Sequence, residues 1–364
     1  MKLIHCADLH LDSKMTANLS REKAKIRKNE LLNTFNSMIN YACENQVDGI
    51  IIAGDLYDTK NISATARNTV IGAIKAHPEI VFYYLKGNHD GDSLLNALDE
   101  IPDNLKLFTD KWNSYIKGNI VITGIELTKE NYGGIYNSLL LDMENFNIVI
   151  LHGQESNHKS KDEYLNINLR ELKNKGIDYL ALGHIHEYRE AMLDSRGVYC
   201  YPGCLEGRGF DECGEHGFVL LNIDEEKRTF TRQFVPIAER ILYEVEVDIT
   251  GCMNTAEISD RIGNCLDGAS FERKNMIKII LTGKVDIECE KNVELLVKQF
   301  ENDYFFLKID DTSKFAVDYG MFMYDESLKG EFVRRVMAEN DLEDDEKAAI
   351  IRYGIQALSG EEID

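Results

Sequence analysis

Five short apolar runs in this chain each stop on a compact set of polar residues. LIHCA runs into Asp8-Leu9-His10, GIIIA into Gly54-Asp55-Leu56-Tyr57-Asp58, and IVFYYL, through Lys86, into Gly87-Asn88-His89-Asp90. NIVIL runs into His152-Gly153 and DYLAL into Gly183-His184-Ile185-His186. Runs of this length and β-branched or aromatic content read as buried strands. Helical stretches over 20–45 and 63–76 separate the early ones, which predicts an α/β arrangement. In an open α/β sheet, ligands bind beyond the carboxyl ends of the strands. The five endings are therefore expected to converge on one place.

What they would bring there is chemically specific. Two carboxylates, one amide oxygen and several imidazoles, without a cysteine, form an oxygen-and-nitrogen donor set that suits manganese, iron or zinc. The groups outnumber the needs of one ion. A carboxylate shared by two cations about 3.5–4 Å apart gives a two-metal site, which clamps a phosphate and generates a hydroxide nucleophile near neutral pH. The glycines before Asp55, Asn88 and His184 permit the close backbone approach that such convergence requires.

Organisation along the chain fits one large unit and a smaller one. The catalytic candidates lie in 1–236, whose later strands REAML, GVYCY, GFVLLNI and TFTRQFVPI read as antiparallel pairs closing the sheet system. Residues 241–312 read as a small α+β cap with a β-α-β-β-α-β-like pattern, its helices carrying Ile258, Ile262 and Leu266, and Val293, Leu296, Val297 and Phe300. Residues 325–364 read as two acidic amphipathic helices, striped by Leu328, Phe332 and Val336 and by Ile351, Ile355 and Leu358. No apolar run reaches the roughly 18 residues of a membrane span, and the start MKLIHCADLHLDS lacks the apolar region of a signal peptide. Together with eight scattered cysteines, which read as reduced thiols, this predicts a cytoplasmic protein. A net charge of −22 argues against a broad phosphate-binding surface. Two local basic stretches remain, Arg21, Lys23, Lys25, Arg27 and Lys28, and His158, Lys159 and Lys161; solvated helix faces and local nucleic-acid footprints compete as their reading.

The ordered set D-x-H, GDxxD, GNHD, HG and GHxH resembles the calcineurin-like metallophosphoesterases over residues 1–236. That family's fold is a pair of packed mixed sheets flanked by helices. The resemblance implies a first cation held by Asp8, His10, Asp55 and His186 and a second by Asp55, Asn88, His152 and His184, with Asp55 bridging. It places His89 against the substrate, to stabilise charge or protonate the leaving oxygen, with Asp90 orienting His89. Within the superfamily, HCADLHLDS, GDLYD without a following arginine, YPGCLEGRGFDE (201–212) and the extra chain after 240 resemble the DNA-repair exonuclease branch of SbcD/YhaO type. This implies a manganese-dependent exonuclease acting on DNA beside an SMC-like coiled-coil ATPase, with homodimerisation and a tail that docks on the partner's coiled coil. Asp58, Tyr57 and Arg208 are the candidates for substrate contact, and His5 and His216 also lie near the motifs. The pattern departs at Asp58, where well-known eukaryotic and archaeal relatives carry a phosphate-positioning histidine, so exonuclease rate and polarity do not carry over. A small-molecule phosphodiesterase would use the same motifs, but without the chain beyond 240. A non-catalytic scaffold for the ATPase would ordinarily have lost a ligand, and here each ligand position is filled.

Overall fold

The computed structural model describes residues 1–15, 19–59, 62–92, 94–155, 163–269, 271–286, 289–316, 322 and 324–359. The basic stretch His158, Lys159 and Lys161 lies outside them. The chain divides into two units, Met1–Ile241 and Leu242–Asp364.

The first unit begins with β1 (Lys2–Cys6), α1 (Arg21–Glu44), β2 (Gly49–Ala53), α2 (Ala64–Ala76), β3 (Val81–Leu85) and β4 (Leu105–Leu107). It continues with β5 (Asn113–Lys117), β6 (Ile120–Gly124), α3 (Ile135–Ser138), β7 (Phe146–His152), β8 (Gln154–Glu155), β9 (Asn166–Ile167), α4 (Leu169–Leu172) and β10 (Tyr179–Gly183). β11 (Arg189–Met192), β12 (Val198–Tyr201), β13 (Gly217–Asp224) and β14 (Thr229–Pro236) complete it. Serine caps start both long helices, Ser20 accepting from Lys23 N and Ser63 from Ala66 N, which satisfies amides that have no intrahelical partner.

Two six-stranded sheets result, ordered β14-β13-β1-β2-β3-β4 and β11-β12-β10-β7-β6-β5. Strands β1 to β4 run parallel, as do β6, β7, β10 and β12. The late strands were expected to pair antiparallel. All four do, β11 with β12, β13 with β1 and β14 with β13, and β12 in addition joins β10 in parallel. Its registry of Tyr179 with Val198 keeps two apolar strands adjacent in the centre of the sheet and leaves the polar Arg189–Met192 strand at the edge.

Alternation along the strands builds the layers. Ile50 and Ile52 pack under α1 with Leu31, Phe35 and Met38, while Ile51 and Ala53 face Ile148, Ile150 and Ala181 of the other sheet. The outer face of the second sheet is covered by α3 and α4 through Ile135, Leu139 and Leu172. Central parallel strands covered on both faces explain the near-continuous apolar runs. Mixed sheets flanked by helices thus form the first unit.

The second unit holds β15 (Leu242–Asp248), α5 (Thr255–Ala269), β16 (Met276–Thr282), β17 (Lys284–Asp286), α6 (Val293–Phe300), β18 (Phe306–Asp311) and β19 (Lys314–Ala316). The element order β15-α5-β16-β17-α6-β18 keeps the expected β-α-β-β-α-β-like pattern. β15, β16 and β18 form an all-parallel sheet in the order β15-β16-β18, with α5 and α6 as crossovers. Beyond β16 the chain breaks at Gly283, whose φ is +94°, and β17 then pairs with β19.

The tail forms α7 (Leu328–Ala338) and α8 (Asp344–Ser359). They pack together through Val333, Val336 and Ile351, with Phe332 and Ile355 alongside, whereas Leu328 and Leu358 stay exposed. The Arg352 guanidinium lies 4.6 Å over the Phe315 ring of β19. Most of both stripes is thus spent inside the second unit. Among the described residues, no helix is long and apolar enough to cross a membrane.

Candidate metal centre

The carboxyl ends of β1, β2 and β3 in one sheet and of β7 and β10 in the other meet. Backbone geometry there is unusual. Asp8, His10, Asp55 and His184 have φ of 53°, 44°, 50° and 98°, left-handed conformations that cost non-glycine residues about 1–3 kcal/mol each and concentrate at functional sites. Main-chain bonds stitch the turns together: Asp8 N donates to Gly54 O and His10 N to Asp55 O, both at 3.0 Å. Side chains continue the stitching. Asp8 accepts the His184 amide at 2.9 and 3.0 Å, tying the two sheets, and Asp55 Oδ1 accepts the His89 amide at 2.9 Å. The glycines serve close approach: a Cβ on Gly54 would collide with the His152 ring, and one on Gly87 with the Asp55 carboxylate.

Two groups of donors result, Asp8, His10 and His186, and Asp55, His152 and His184, the atoms within each lying inside 4.8 Å of one another. The Nε2 atoms of His10 and His186 face each other at 3.2 Å. Asp55 Oδ2 stands between the groups, 3.8 Å from His10 Nε2 and 3.4 Å from His152 Nε2, and Asn88 Oδ1 is 3.1 Å from His152 Nε2.

The opposite side of two imidazoles is hydrogen-bonded within the protein, and that of a third, His10, lies at ion-pair distance from a carboxylate without hydrogen-bond geometry. Nδ1 of His152 donates to Ala53 O at 2.9 Å, Nδ1 of His186 faces Glu212 Oε1 at 2.6 Å, and Nδ1 of His10 lies 3.3 Å from Asp58 Oδ1. Partners on Nδ1 fix the tautomer that leaves the Nε2 lone pair for a metal. The surroundings call for positive charge as well. Burial opposes ionisation of Asp55, yet His152 and His10 hold its carboxyl well below the usual range. Burial likewise opposes a charged His152, but Asp55 raises it to about 9. The donors present therefore fit two divalent cations that share Asp55.

The remaining expected residues have divided roles. His89 is exposed, its Nδ1 3.0 Å from the Asp58 carbonyl and its ring 5.1 Å from that of His10. Asp90 is corrected: it was expected to orient His89, but its buried carboxylate accepts the amides of Leu56, Tyr57 and Gly87 at 3.2, 2.9 and 2.9 Å. It fastens the β2 turn to the β3 turn, and the Asp58 carbonyl holds His89 instead. Tyr57 is also corrected, being 2 % exposed and packed in the core beneath α1 and α2, where it cannot reach substrate. His5 is buried against Tyr179 OH at 2.8 Å, and His216 against Cys204 and the Glu212 carbonyl. Arg27 of the basic stretch is buried too, bound to Glu30, Glu206 and the Gly207 carbonyl; it anchors α1 instead of meeting phosphate.

Asp58 and Arg208 do reach the centre, as a pair 3.0 Å apart. Glu212 belongs with them and has no motif of its own at the sequence level. Its only signal is that it closes the segment YPGCLEGRGFDE. Two further groups among the described residues meet the distance condition: His10, Asp58 and His89, which shares His10 with the first group, and, away from the centre, Cys43, His77 and Glu79. There both contacts, 3.3 and 3.1 Å, fall on the single His77 Nδ1, and burial together with Glu79 pushes the Cys43 thiol up, away from the thiolate a metal needs.

A family model described as calcineurin-like phosphoesterase matches residues 1–188. The chain is 30 % identical over 274 residues to the uncharacterized metallophosphoesterase YhaO of Bacillus subtilis, covering 70 % of this chain and 64 % of that one. The match thus spans less than two thirds of that relative. It is 26 % identical over 323 residues to the DNA double-strand break repair protein Mre11 of Sulfurisphaera tokodaii, covering 83 % of this chain and 78 % of the relative. With a component of the nuclease SbcCD of Staphylococcus epidermidis it shares 25 % over 281 residues, covering 68 % of this chain and 72 % of that component.

Proposed function

From the premise that this chain belongs to the calcineurin-like phosphoesterase family, we propose that it is a two-metal phosphodiesterase that cuts DNA, the nuclease subunit of a complex with an SMC-like coiled-coil ATPase. The observation that carries this is Asp55 Oδ2 standing between the two donor groups, 3.8 Å from His10 Nε2 and 3.4 Å from His152 Nε2. Asp8, His10 and His186, with Asp55, would hold one cation, and Asp55, Asn88, His152 and His184 the other. Two divalent cations supply Lewis-acid stabilisation of phosphate charge and a water acidic enough to attack near neutral pH. The oxygen and nitrogen donors favour manganese and accept iron or zinc.

The chain's own residues do the positioning. The left-handed turns at Asp8, His10, Asp55 and His184 aim donors from two sheets at one point. His89 sits exposed beside them, held through Nδ1 by the Asp58 carbonyl. Its Nε2 is the side of the ring from which a proton would pass to the departing ester oxygen. Support for DNA as substrate comes from relatives named as a DNA double-strand break repair protein and a nuclease subunit; the ATPase partner follows from the motif resemblance to the SbcD/YhaO branch. The acidic chain, at −22, fits a division of labour in which the partner supplies most duplex contacts and this chain the metal centre.

The test strips the purified chain of metal, restores Mn²⁺ and follows end-labelled duplex DNA, single-stranded DNA and bis-p-nitrophenyl phosphate, with His184→Ala as control. Mn²⁺-dependent DNA shortening that the variant loses is the expected result, with or without the ATPase partner added. Hydrolysis of the small ester alone, persisting when the partner is present, would replace the DNA reading with a small-molecule phosphodiesterase. No hydrolysis with two metals bound would leave a scaffold.

A further inference from the structure

Arg208 was a candidate for touching substrate, yet its guanidinium is spent within the protein. Nη1 donates to Asp58 Oδ1 at 3.0 Å, Nη2 to Glu212 Oε1 at 2.8 Å, and Nε reaches both Glu212 oxygens at 3.3 and 3.4 Å. The Arg208 amide also donates to Glu212 Oε2 at 2.7 Å. Nη2 lies 3.1 Å from His186 Nδ1, but that nitrogen is closer to Glu212 Oε1, at 2.6 Å. A ring proton on Nδ1 shared with the carboxylate satisfies both contacts through the one oxygen.

Each carboxylate that Arg208 grips faces the Nδ1 of a histidine whose Nε2 enters the metal centre. Asp58 Oδ1 is 3.3 Å from His10 Nδ1, and Glu212 Oε1 is 2.6 Å from His186 Nδ1. The two Nε2 atoms are themselves 3.2 Å apart. His10, Asp58, Arg208, Glu212 and His186 thus form a closed ring, with the guanidinium at one pole and the cation position at the other. Two carboxylates this close repel each other unless a cation lies between them, and a planar fork with five donors is the side chain suited to bind both.

Among the described residues the second donor group has no such support. His152 Nδ1 rests on the neutral Ala53 carbonyl. An imidazole backed by a carboxylate is a more basic ligand than one backed by a carbonyl, and losing such a partner typically lowers metal affinity 10–100-fold.

We propose that Arg208 is a positioning residue that clamps Asp58 and Glu212 behind His10 and His186, making the cation position served by Asp8, His10 and His186 the tighter of the two. This rests on the two-cation reading above and assigns Asp58 and Arg208 to the cation, not to the substrate. The aspartate at 58 then has a reason: a histidine there could not complete the ion pair with Arg208.

The experiment uses the full chain, stripped of metal and titrated with Mn²⁺, with free Mn²⁺ read by electron paramagnetic resonance. Wild type is expected to bind two ions in two affinity classes. Glu212→Gln, which keeps shape and removes charge, and Arg208→Ala should each weaken the tighter class by about 10–100-fold and leave the weaker class in place. Arg208→Lys should fall between, since an ammonium cannot fork across two carboxylates. Asn88→Ala should weaken only the other class. Melting temperatures are read in parallel, and Glu212→Gln carries the test if Arg208→Ala fails to fold. Wild-type affinities in both Glu212→Gln and Arg208→Lys would overturn the clamp and leave the two-cation reading standing. A wild-type chain that takes up no Mn²⁺ would overturn the two-cation reading itself.

Discussion

Both units carry aspartates at or two residues past the ends of parallel strands, and the two put those carboxylates to opposite uses. In the second unit, Asp248 at the end of β15 accepts the amide and hydroxyl of Thr250 at 2.9 and 2.6 Å, and Asp311 at the end of β18 accepts those of Ser313 at 3.0 and 2.6 Å. The Asp248 carboxylate is consumed by its own turn, and that of Asp311 is shared between its turn and Lys291 of the same unit. In the first unit, Asp8, two residues past β1, accepts the amide of His184 from the other sheet, and Asp55, two residues past β2, accepts that of His89 from the next strand. Their remaining lone pairs face imidazoles. A serine or threonine two positions after the aspartate closes a local turn, and with His10 and Tyr57 in that place after Asp8 and Asp55, left-handed backbone swings the carboxylate inward.

The largest contrast is between Asp55→Ala and Asp248→Ala. The first removes the oxygen between the two donor groups and should lower phosphodiester hydrolysis by more than about a hundredfold, beyond the range for outer-shell partners. The second should leave hydrolysis and Mn²⁺ uptake unchanged; a loss of activity there would break the comparison.

Glycines sharpen it next. Gly54 and Gly251 have φ of +94° and +79°, but only Gly54 would drive a Cβ into a neighbour, the His152 ring. Gly251→Ala should cost about 1–2 kcal/mol from handedness alone, read by denaturant unfolding, with full activity. Gly54→Ala adds overpacking of about 1–3 kcal/mol and should displace His152, with a fall in turnover that excess Mn²⁺ only partly restores.

A third measurement separates fastening from catalysis. Asp90→Ala strands three amides that its carboxylate accepts, at about 1–3 kcal/mol for a buried donor left unsatisfied, so it should lower both stability and Mn²⁺ affinity. His89→Ala should lower turnover and leave Mn²⁺ affinity intact. If Asp90→Ala instead reproduced His89→Ala, with unchanged stability, the carboxylate would belong to the acid after all.

The smallest effect is in titration of the metal-free chain by carboxyl-resolved NMR. Burial raises Asp8 to about 6, the nearby Asp55 adding to it against His152. Asp311 moves the other way: burial opposes the shift, but Lys291 and Ser313 hold it below its ordinary value. The linkage signs follow. Asp311 stabilises the fold above the ordinary carboxylate value and loses this as pH falls through its lower folded value. Ionising Asp8 costs the metal-free fold stability as pH rises through about 6, a cost that bound cations should cancel. Equal values for the two groups would remove the electrostatic side of the contrast.

The sequence by itself determined the strands and the donors at their ends, because period-two alternation, apolar runs and glycine–ligand pairs are local signals. Asp8, His10, Asp55, His152, His184 and His186 come together in space as their strand endings implied. Tertiary structure decided what lies behind them. Tyr57 and Asp90 sit inside motifs, yet one fills the core and the other fastens two turns. The parallel sheet of the second unit depends on which strands pair, a choice that element order leaves open. The Asp58, Arg208, Glu212 and His186 cluster draws on residues as much as 154 positions apart, from 58 to 212. Contacts of that kind exist only once two sheets have packed and their turns have met.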